Sequence, residues 1–233
     1  MFASFFNYCR LKKISKTKGA ALFGVADISD PSIKAAFNLS DETRKKVNRA
    51  VCLGVGLSAL VLSDIQKEPT KLYYHHYRMA NMFLDQLAFC VSGWIQGQGF
   101  LSMPIAASQI VDWQKQNAHV SHKNLGVLAG LGWIGRNNLL VTRDFGSQFR
   151  IVTILTDMPL KVNKPVSDGC GSCFACLKAC PTGAIRKDQR DFRHLVCYEQ
   201  LKDYQRRNVV GQYICGICVK ACSAKITKNI NKS

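Results

Sequence analysis

The sequence predicts an α+β chain, with a mixed α/β N-terminal domain over residues 1–162 and a small cysteine-built domain over residues 163–233. Two observations lead there. Apolar runs of strand length alternate with stretches of helical periodicity through the first two thirds. Eight of the eleven cysteines then crowd into the last third, at Cys170, Cys173, Cys176, Cys180, Cys197, Cys215, Cys218 and Cys222.

The N-terminal elements follow in order. Residues 5–18 suit a basic helix, ended by Gly19, and Ala20–Ile28 reads as a buried strand closed by Ser29-Asp30-Pro31. Ser40 is placed to cap a short polar helix with Thr43 in its first turn. The apolar run Ala50–Leu62 reads as a strand; it is far shorter than the ~20 residues a membrane-spanning helix needs. From Tyr74 to Ile95, Tyr77, Ala80, Leu84, Leu87, Ala88, Val91 and Ile95 recur at three- and four-residue steps, which predicts a long helix. Residues 107–129 read as helical again. Strands are expected over Asn138–Thr142 and Phe149–Thr156, with a turn at Asp144–Ser147 between them and a linker over Asp157–Asp168.

The cysteine spacing carries the chemistry. Cys170, Cys173, Cys176 and Cys180 spell C-x2-C-x2-C-x3-C, closed by Pro181, the bacterial ferredoxin pattern for a [4Fe–4S] cluster. Cys215, Cys218 and Cys222 follow, with Cys197 upstream, and eight thiolates suffice for two cubanes. The fourth cysteine of the first motif sits on a helix and points away from the first cubane. On that logic Cys170, Cys173, Cys176 and Cys222 hold cluster one, and Cys180, Cys197, Cys215 and Cys218 hold cluster two. The result is a ferredoxin-like domain with two [4Fe–4S] clusters. The second motif lacks a third cysteine at x2 spacing and has Ser223 where proline is usual. A zinc ribbon built from C-x2-C pairs is the alternative. Cys52 and Cys90 sit in apolar surroundings and read as small core residues.

Gly130, Gly132 and Gly135 spell G-x-G-x-x-G, but a helical stretch precedes them and a strand follows. A dinucleotide fingerprint needs the reverse order. With Trp133, these glycines are instead candidate contacts to a large flat cofactor, since glycine lets the backbone approach closely; a helix cap followed by a bend is the structural alternative. His75 and His76 are adjacent on a helix, about 100° apart, and cannot chelate one metal together.

The formal net charge is +17, from 32 basic and 15 acidic residues. A basic surface suits a polyanionic partner such as tRNA, or is simply a solvated face. Arg206, Arg207, Lys225, Lys228 and Lys232 are the candidate contact points. The N-terminus shows no signal-peptide pattern, so a cytoplasmic protein without a membrane partner is expected, with its thiols serving as metal ligands.

The segment Ala129-Gly-Leu-Gly-Trp-Ile-Gly-Arg-Asn-Asn-Leu-Leu140, then Leu155-Thr-Asp-Met-Pro-Leu160, then Cys170-Gly-Ser-Cys-Phe-Ala-Cys-Leu-Lys-Ala-Cys-Pro-Thr-Gly-Ala-Ile185, resembles epoxyqueuosine reductase. That family is distantly related to reductive dehalogenases. The resemblance implies two [4Fe–4S] clusters beside a cobalamin held by residues 1–162. It also implies single electrons from a donor such as ferredoxin or flavodoxin, and reduction of epoxyqueuosine in tRNA. The family's proton-donating acid falls in a short strand before the glycine loop. The matching Phe100–Ile105 has no acid, which leaves Tyr77, His75 or His76, and nothing in the sequence selects among them. Two other readings stay open: an electron-transfer protein serving a separate corrinoid or flavin enzyme, and a reductase with a flavin in its N-terminal domain.

Overall fold

The structure is a computed structural model and describes residues 2–113 and 116–223. In chain order its elements are α1 (Phe2–Thr17), β1 (Leu22–Asp27), α2 (Pro31–Ala35), α3 (Asp41–Lys46), β2 (Arg49–Gly56), α4 (Ala59–Ser63), α5 (Lys71–Gly97), β3 (Ser102–Ile105), α6 (His122–Leu128), β4 (Trp133–Ile134), β5 (Leu140–Val141), β6 (Phe149–Thr156), α7 (Ala175–Ala179), α8 (His194–Arg206) and α9 (Ile217–Ala221). They form the α+β fold expected from the sequence. The residues group into two compact units. One comprises Met1–Val55, Asn81–Leu131 and Arg150–Val166; the other comprises Gly56–Ala80, Gly132–Phe149 and Ser167–Ser233. A boundary at 162/163 separates the cysteine-rich segment from Gly56–Ala80 and Gly132–Phe149, yet both of these group with it.

The first unit is built on a sheet of order β1-β2-β6-β3, with β1 antiparallel to β2 and β3 antiparallel to β6. Strand side chains alternate between faces, and the sequence uses both faces. Phe23, Val25, Val51, Leu53, Val152 and Ile154 join one core with Tyr8 and Leu11 of α1 and with Leu84, Leu87, Ala88, Val91 and Ile95 of α5. Ala26, Ala50, Cys52 and Leu155 join the opposite core with Leu125 of α6. Two covered faces explain why these strands are apolar throughout. Leu84 is fully buried at the centre of the first core. Leu84→Ala is expected to cost about 2–5 kcal/mol, read as a lower urea midpoint at unchanged slope.

Ser40 accepts a hydrogen bond from the Thr43 backbone N–H and caps α3, as its position suggests. Three expectations fail. Cys90, read as a core residue, is exposed, while Cys52 is buried as expected. The run Ala50–Leu62 is not one strand: β2 stops at Gly56, and Ser58 accepts from the Val61 N–H to cap α4. The helix expected over 107–129 is only α6. Before it, Asp112 and Asn117 form an isolated antiparallel bridge, and residues 114 and 115 of the expected helix lie outside the described residues.

His122, at the first position of α6, is half-buried between the sheet and the chain after β3. Its Nε2 donates to the Ala106 carbonyl at 2.9 Å, which leaves Nδ1 to accept from the Thr153 hydroxyl at 2.8 Å. Burial holds this imidazole below its ordinary pKa and the Arg150 charge adds to that, while the Ala106 bond and Asp85 oppose it. The unfolded chain therefore binds the extra proton first. His122 stabilises fully above the ordinary histidine range, and its contribution falls as pH drops through about 6.5. Denaturant midpoints at pH 7.5 and 5.5 should show a loss of at most about 1.4 kcal/mol per pH unit from this group. That loss should be absent in His122→Gln.

Candidate metal centres

The second unit builds its sites from three short helices. Cys176 lies within α7 and Cys180 caps its C-terminus, while Cys218 lies within α9 and Cys222 caps that helix. α7 and α9 pack against each other. Residues four apart on a helix sit one turn apart, about 5.4 Å along the axis. Each helix therefore offers two thiols stacked along one face, and each thiol can serve a different cluster. Cys197 comes from α8. The chain enters α9 through Gly216, whose φ of 80° lies in the left-handed region that favours glycine.

The thiols influence one another, and Cys218, raised first by burial, feels Cys176 as well as Cys215, Cys197 and Cys180. Burial, with Cys222, Cys170 and Cys173 adding to it, pushes Cys176 up to about 11. Burial likewise raises Cys215 to about 11, with Cys197 and Cys180 adding to it. Cys197 is raised by burial and then by Cys180. Cys180 differs. Burial pushes it up, but the Thr182 hydroxyl and the backbone N–H groups of Ile185, Thr182 and Ala184 outweigh that, and its thiol falls below the ordinary value. Cys180, Cys197, Cys215 and Cys218 line a cavity of about 50 Å³, together with Asn137, Thr182, Gln200 and apolar groups such as Ile185, Phe192 and Ile217.

All eleven cysteines are free thiols. Among the described residues, no three His, Cys, Asp or Glu side chains lie within reach of one metal ion. A zinc site needs four ligands about 2.3 Å from a single centre. A cubane puts a separate iron under each thiolate and spreads the sulfurs apart.

The segment 132–149 holds both halves of the cluster-one set. Arg136 donates from Nη1 to the Cys173 carbonyl and from Nη2 to the Gly171 carbonyl, both at 2.9 Å, and from Nε to the Lys187 carbonyl at 2.6 Å. Its guanidinium lies 4.4 Å over the Phe174 ring. At the other end, the Ser147 N–H donates to the Cys222 carbonyl at 3.0 Å, and Gln148 Nε2 donates to the Lys220 carbonyl at 2.8 Å. Buried Asn137 donates to the Ser147 hydroxyl at 3.2 Å. Spacing rules do not reveal these supporting residues, because each contact joins segments distant in sequence.

The glycine loop does not form a cradle for a flat cofactor. Gly130 has φ 69°, and a Cβ there would strike the Lys164 carbonyl; a Cβ on Gly132 would strike the Val141 carbonyl. Protein backbone already occupies the approach that each glycine allows. Gly135 faces the cluster-one side, where a Cβ would lie 3.5 Å from Cys170 Sγ. Trp133 is buried, and its Nε1 has no hydrogen-bond partner in the structure.

The remaining candidates are placed as follows. His76 Nε2 accepts the Ser58 N–H at 2.9 Å, and burial lowers its pKa. The His75 ring lies 5.1 Å from that of Tyr74, and the Tyr77 ring 6.3 Å from that of Tyr73. β3 carries no acid, as the sequence indicates. Arg207 pairs with Asp203 at 2.8 Å and Glu68 at 3.1 Å, and Arg206 reaches Asp203 at 4.0 Å. Such exposed pairs contribute little and leave both arginines accessible. Lys225, Lys228 and Lys232 lie outside the described residues. No helix among the described residues is long and apolar enough to cross a membrane.

Comparison with known proteins agrees with this geometry. Residues 169–225 match the family of 4Fe-4S double cluster binding domains. Epoxyqueuosine reductase of Leadbetterella byssophila is 37% identical over 113 residues, covering 46% of this chain and 37% of the relative. That of Escherichia coli K12 is 46% identical over 69 residues, 30% of this chain and 18% of the relative. The matched region is thus well under half of these relatives' length. Among solved structures, a variant of a catabolic reductive dehalogenase aligns with a TM-score of 0.76 at 18% identity, over 98% of this chain and 34% of that one. Epoxyqueuosine reductase from Streptococcus thermophilus aligns with a TM-score of 0.61 at 18% identity, over 93% of this chain and 65% of that one. Identities this low speak to fold alone. The chain thus carries a 4Fe-4S double cluster binding domain, is similar in sequence to part of the epoxyqueuosine reductases, and shares its fold with them and with a reductive dehalogenase.

Proposed function

We propose that this chain is an iron–sulfur oxidoreductase resembling epoxyqueuosine reductase, in which two [4Fe–4S] clusters pass electrons singly to a second cofactor of the cobalamin class. The single observation behind the reading is that eight free thiols gather in one compact unit, within residues 169–225 that match a double-cluster domain. Cys170, Cys173, Cys176 and Cys222 would hold one cluster; Cys180, Cys197, Cys215 and Cys218 would hold the other. Bound cubanes supply one-electron chemistry, with potentials tuned by nearby charge, hydrogen bonds and exposure. The cluster domain is read as residues 163–233, with support from the 132–149 segment, and the second-cofactor domain as residues 1–162.

The cobalamin assignment rests on relatives. One solved neighbour is described as acting in B12-dependent dehalogenation, and another is an epoxyqueuosine reductase with an epoxyqueuosine-modified tRNA stem loop. Epoxyqueuosine in tRNA is accordingly the proposed substrate, the basic surface its proposed docking face, and a ferredoxin or flavodoxin the proposed donor in the cytoplasm. One observation favours a second reading, in which the chain only delivers electrons to a separate corrinoid or flavin enzyme. The glycine loop's close approaches are taken by the protein's own backbone.

Anaerobic titration of the two-cluster protein with cob(II)alamin separates the two. A change in the cobalt EPR signal, saturating at one corrin per chain, supports the reductase. An unaltered signal, together with no turnover of an epoxyqueuosine-bearing stem loop, leaves the carrier.

A further inference from the structure

Arg136 stands out because its charge is held where the proposed chemistry would sense it. It is half-buried, and all three guanidinium nitrogens donate to carbonyls, two of which belong to the loop carrying Cys170 and Cys173. Phe174, whose ring it covers at 4.4 Å, is the N-cap of α7. No ion pair within 4.0 Å involves Arg136 among the described residues. Asp188, the acid that senses its charge, pairs with Arg190 at 2.6 Å. Arg136 is thus a fixed, largely uncompensated cation against the cluster-one loop.

We propose that Arg136 is the positioning residue that sets the reduction potential of cluster one, raising it relative to the same cluster without the charge. This rests on the two-cluster reading above. A cubane gains negative charge on reduction, and a nearby cation favours the reduced state in proportion to the inverse of distance and local dielectric. Desolvation and a rigid fork make an arginine so held more effective than a mobile surface lysine. Among the described residues, the cavity wall around Cys180, Cys197, Cys215 and Cys218 holds no arginine; Asn137, Gln200, Thr182 and apolar groups complete it. The charge therefore acts on the two clusters unequally.

The test is an EPR-monitored redox titration of the reconstituted full chain, with iron analysis of every sample. Arg136→Gln is expected to lower one midpoint and leave the other in place. The reduced-to-oxidised ratio of cluster one at the wild-type midpoint should fall roughly tenfold, which is about 59 mV for one electron. Arg136→Lys keeps the charge but loses the three-way fork, and should recover most of that shift. Arg190→Gln, an exposed arginine paired with Asp188, should shift neither midpoint. If Arg136→Gln loses cluster one altogether, the lysine variant decides: a midpoint near wild type upholds the proposal. A midpoint lowered about tenfold in ratio overturns it, as do two unmoved midpoints or equal shifts in both clusters for Arg136→Gln. Wild-type protein with fewer than two clusters would overturn the underlying reading instead, so the two failures are distinct.

Discussion

Cys222→Ser protein, reconstituted anaerobically, is expected to keep one cluster and lose the other. Iron should fall from about eight to about four per chain. The crossed partition makes a sharper statement. Cys222 lies 46 residues beyond Cys176 in sequence, yet it bears directly on the ionisation of the Cys176 thiol. Adding Cys170→Ser to Cys222→Ser should cost no further iron, because both thiols serve the same cubane. Adding Cys180→Ser should remove the second cluster too. If the motifs acted as separate blocks, both double variants would lose both clusters, because Cys222 would lie in one block and Cys170 and Cys180 in the other. Iron and sulfide analysis of the single and two double variants resolves the cases.

Gly146→Ala is expected to unseat cluster one without touching a ligand. Gly146 has φ 59°, in the left-handed region, and a Cβ there would meet the Cys222 carbonyl. The backbone term alone costs roughly 1–2 kcal/mol for an L side chain. The clash adds to it, because the obstacle is backbone and cannot rotate away. Relief comes only by parting the 145–148 turn from Cys222, which breaks the Ser147 N–H to Cys222 carbonyl bond. The expected result is a lower thermal midpoint and iron near half the wild-type value, with cluster two retained. Wild-type iron content at an unchanged melting temperature would show that the turn does not hold Cys222.

Local signals made much of this legible. The three- and four-residue recurrence from Ala80 to Ile95 marks the buried stripe of α5, and Ser40 caps α3 where its type and position say it should. The four-residue steps Cys176–Cys180 and Cys218–Cys222 foreshadow two thiols per helix. Contacts between distant segments were not legible. Ser58 ends the apolar run after β2 because a cap competes with strand pairing, and apolar content alone does not reveal that. Residues 107–113 have helix-compatible composition but are held by β3, the Asp85 carboxylate on the Ala107 N–H, and the Asp112–Asn117 bridge. Arg136 and Ser147 carry no motif of their own; they matter because the fold returns their segment to both cysteine loops. The glycine triplet misleads for the same reason. Glycine signals a close approach but does not say whether ligand or backbone makes it.

The central claim is that the cysteine-rich unit assembles a pair of cubanes. The most direct measurement is iron, acid-labile sulfide and zinc per chain in anaerobically reconstituted, desalted protein. About eight irons with matching sulfide and negligible zinc is the expected result. Four irons or fewer, or stoichiometric zinc in their place, would contradict it.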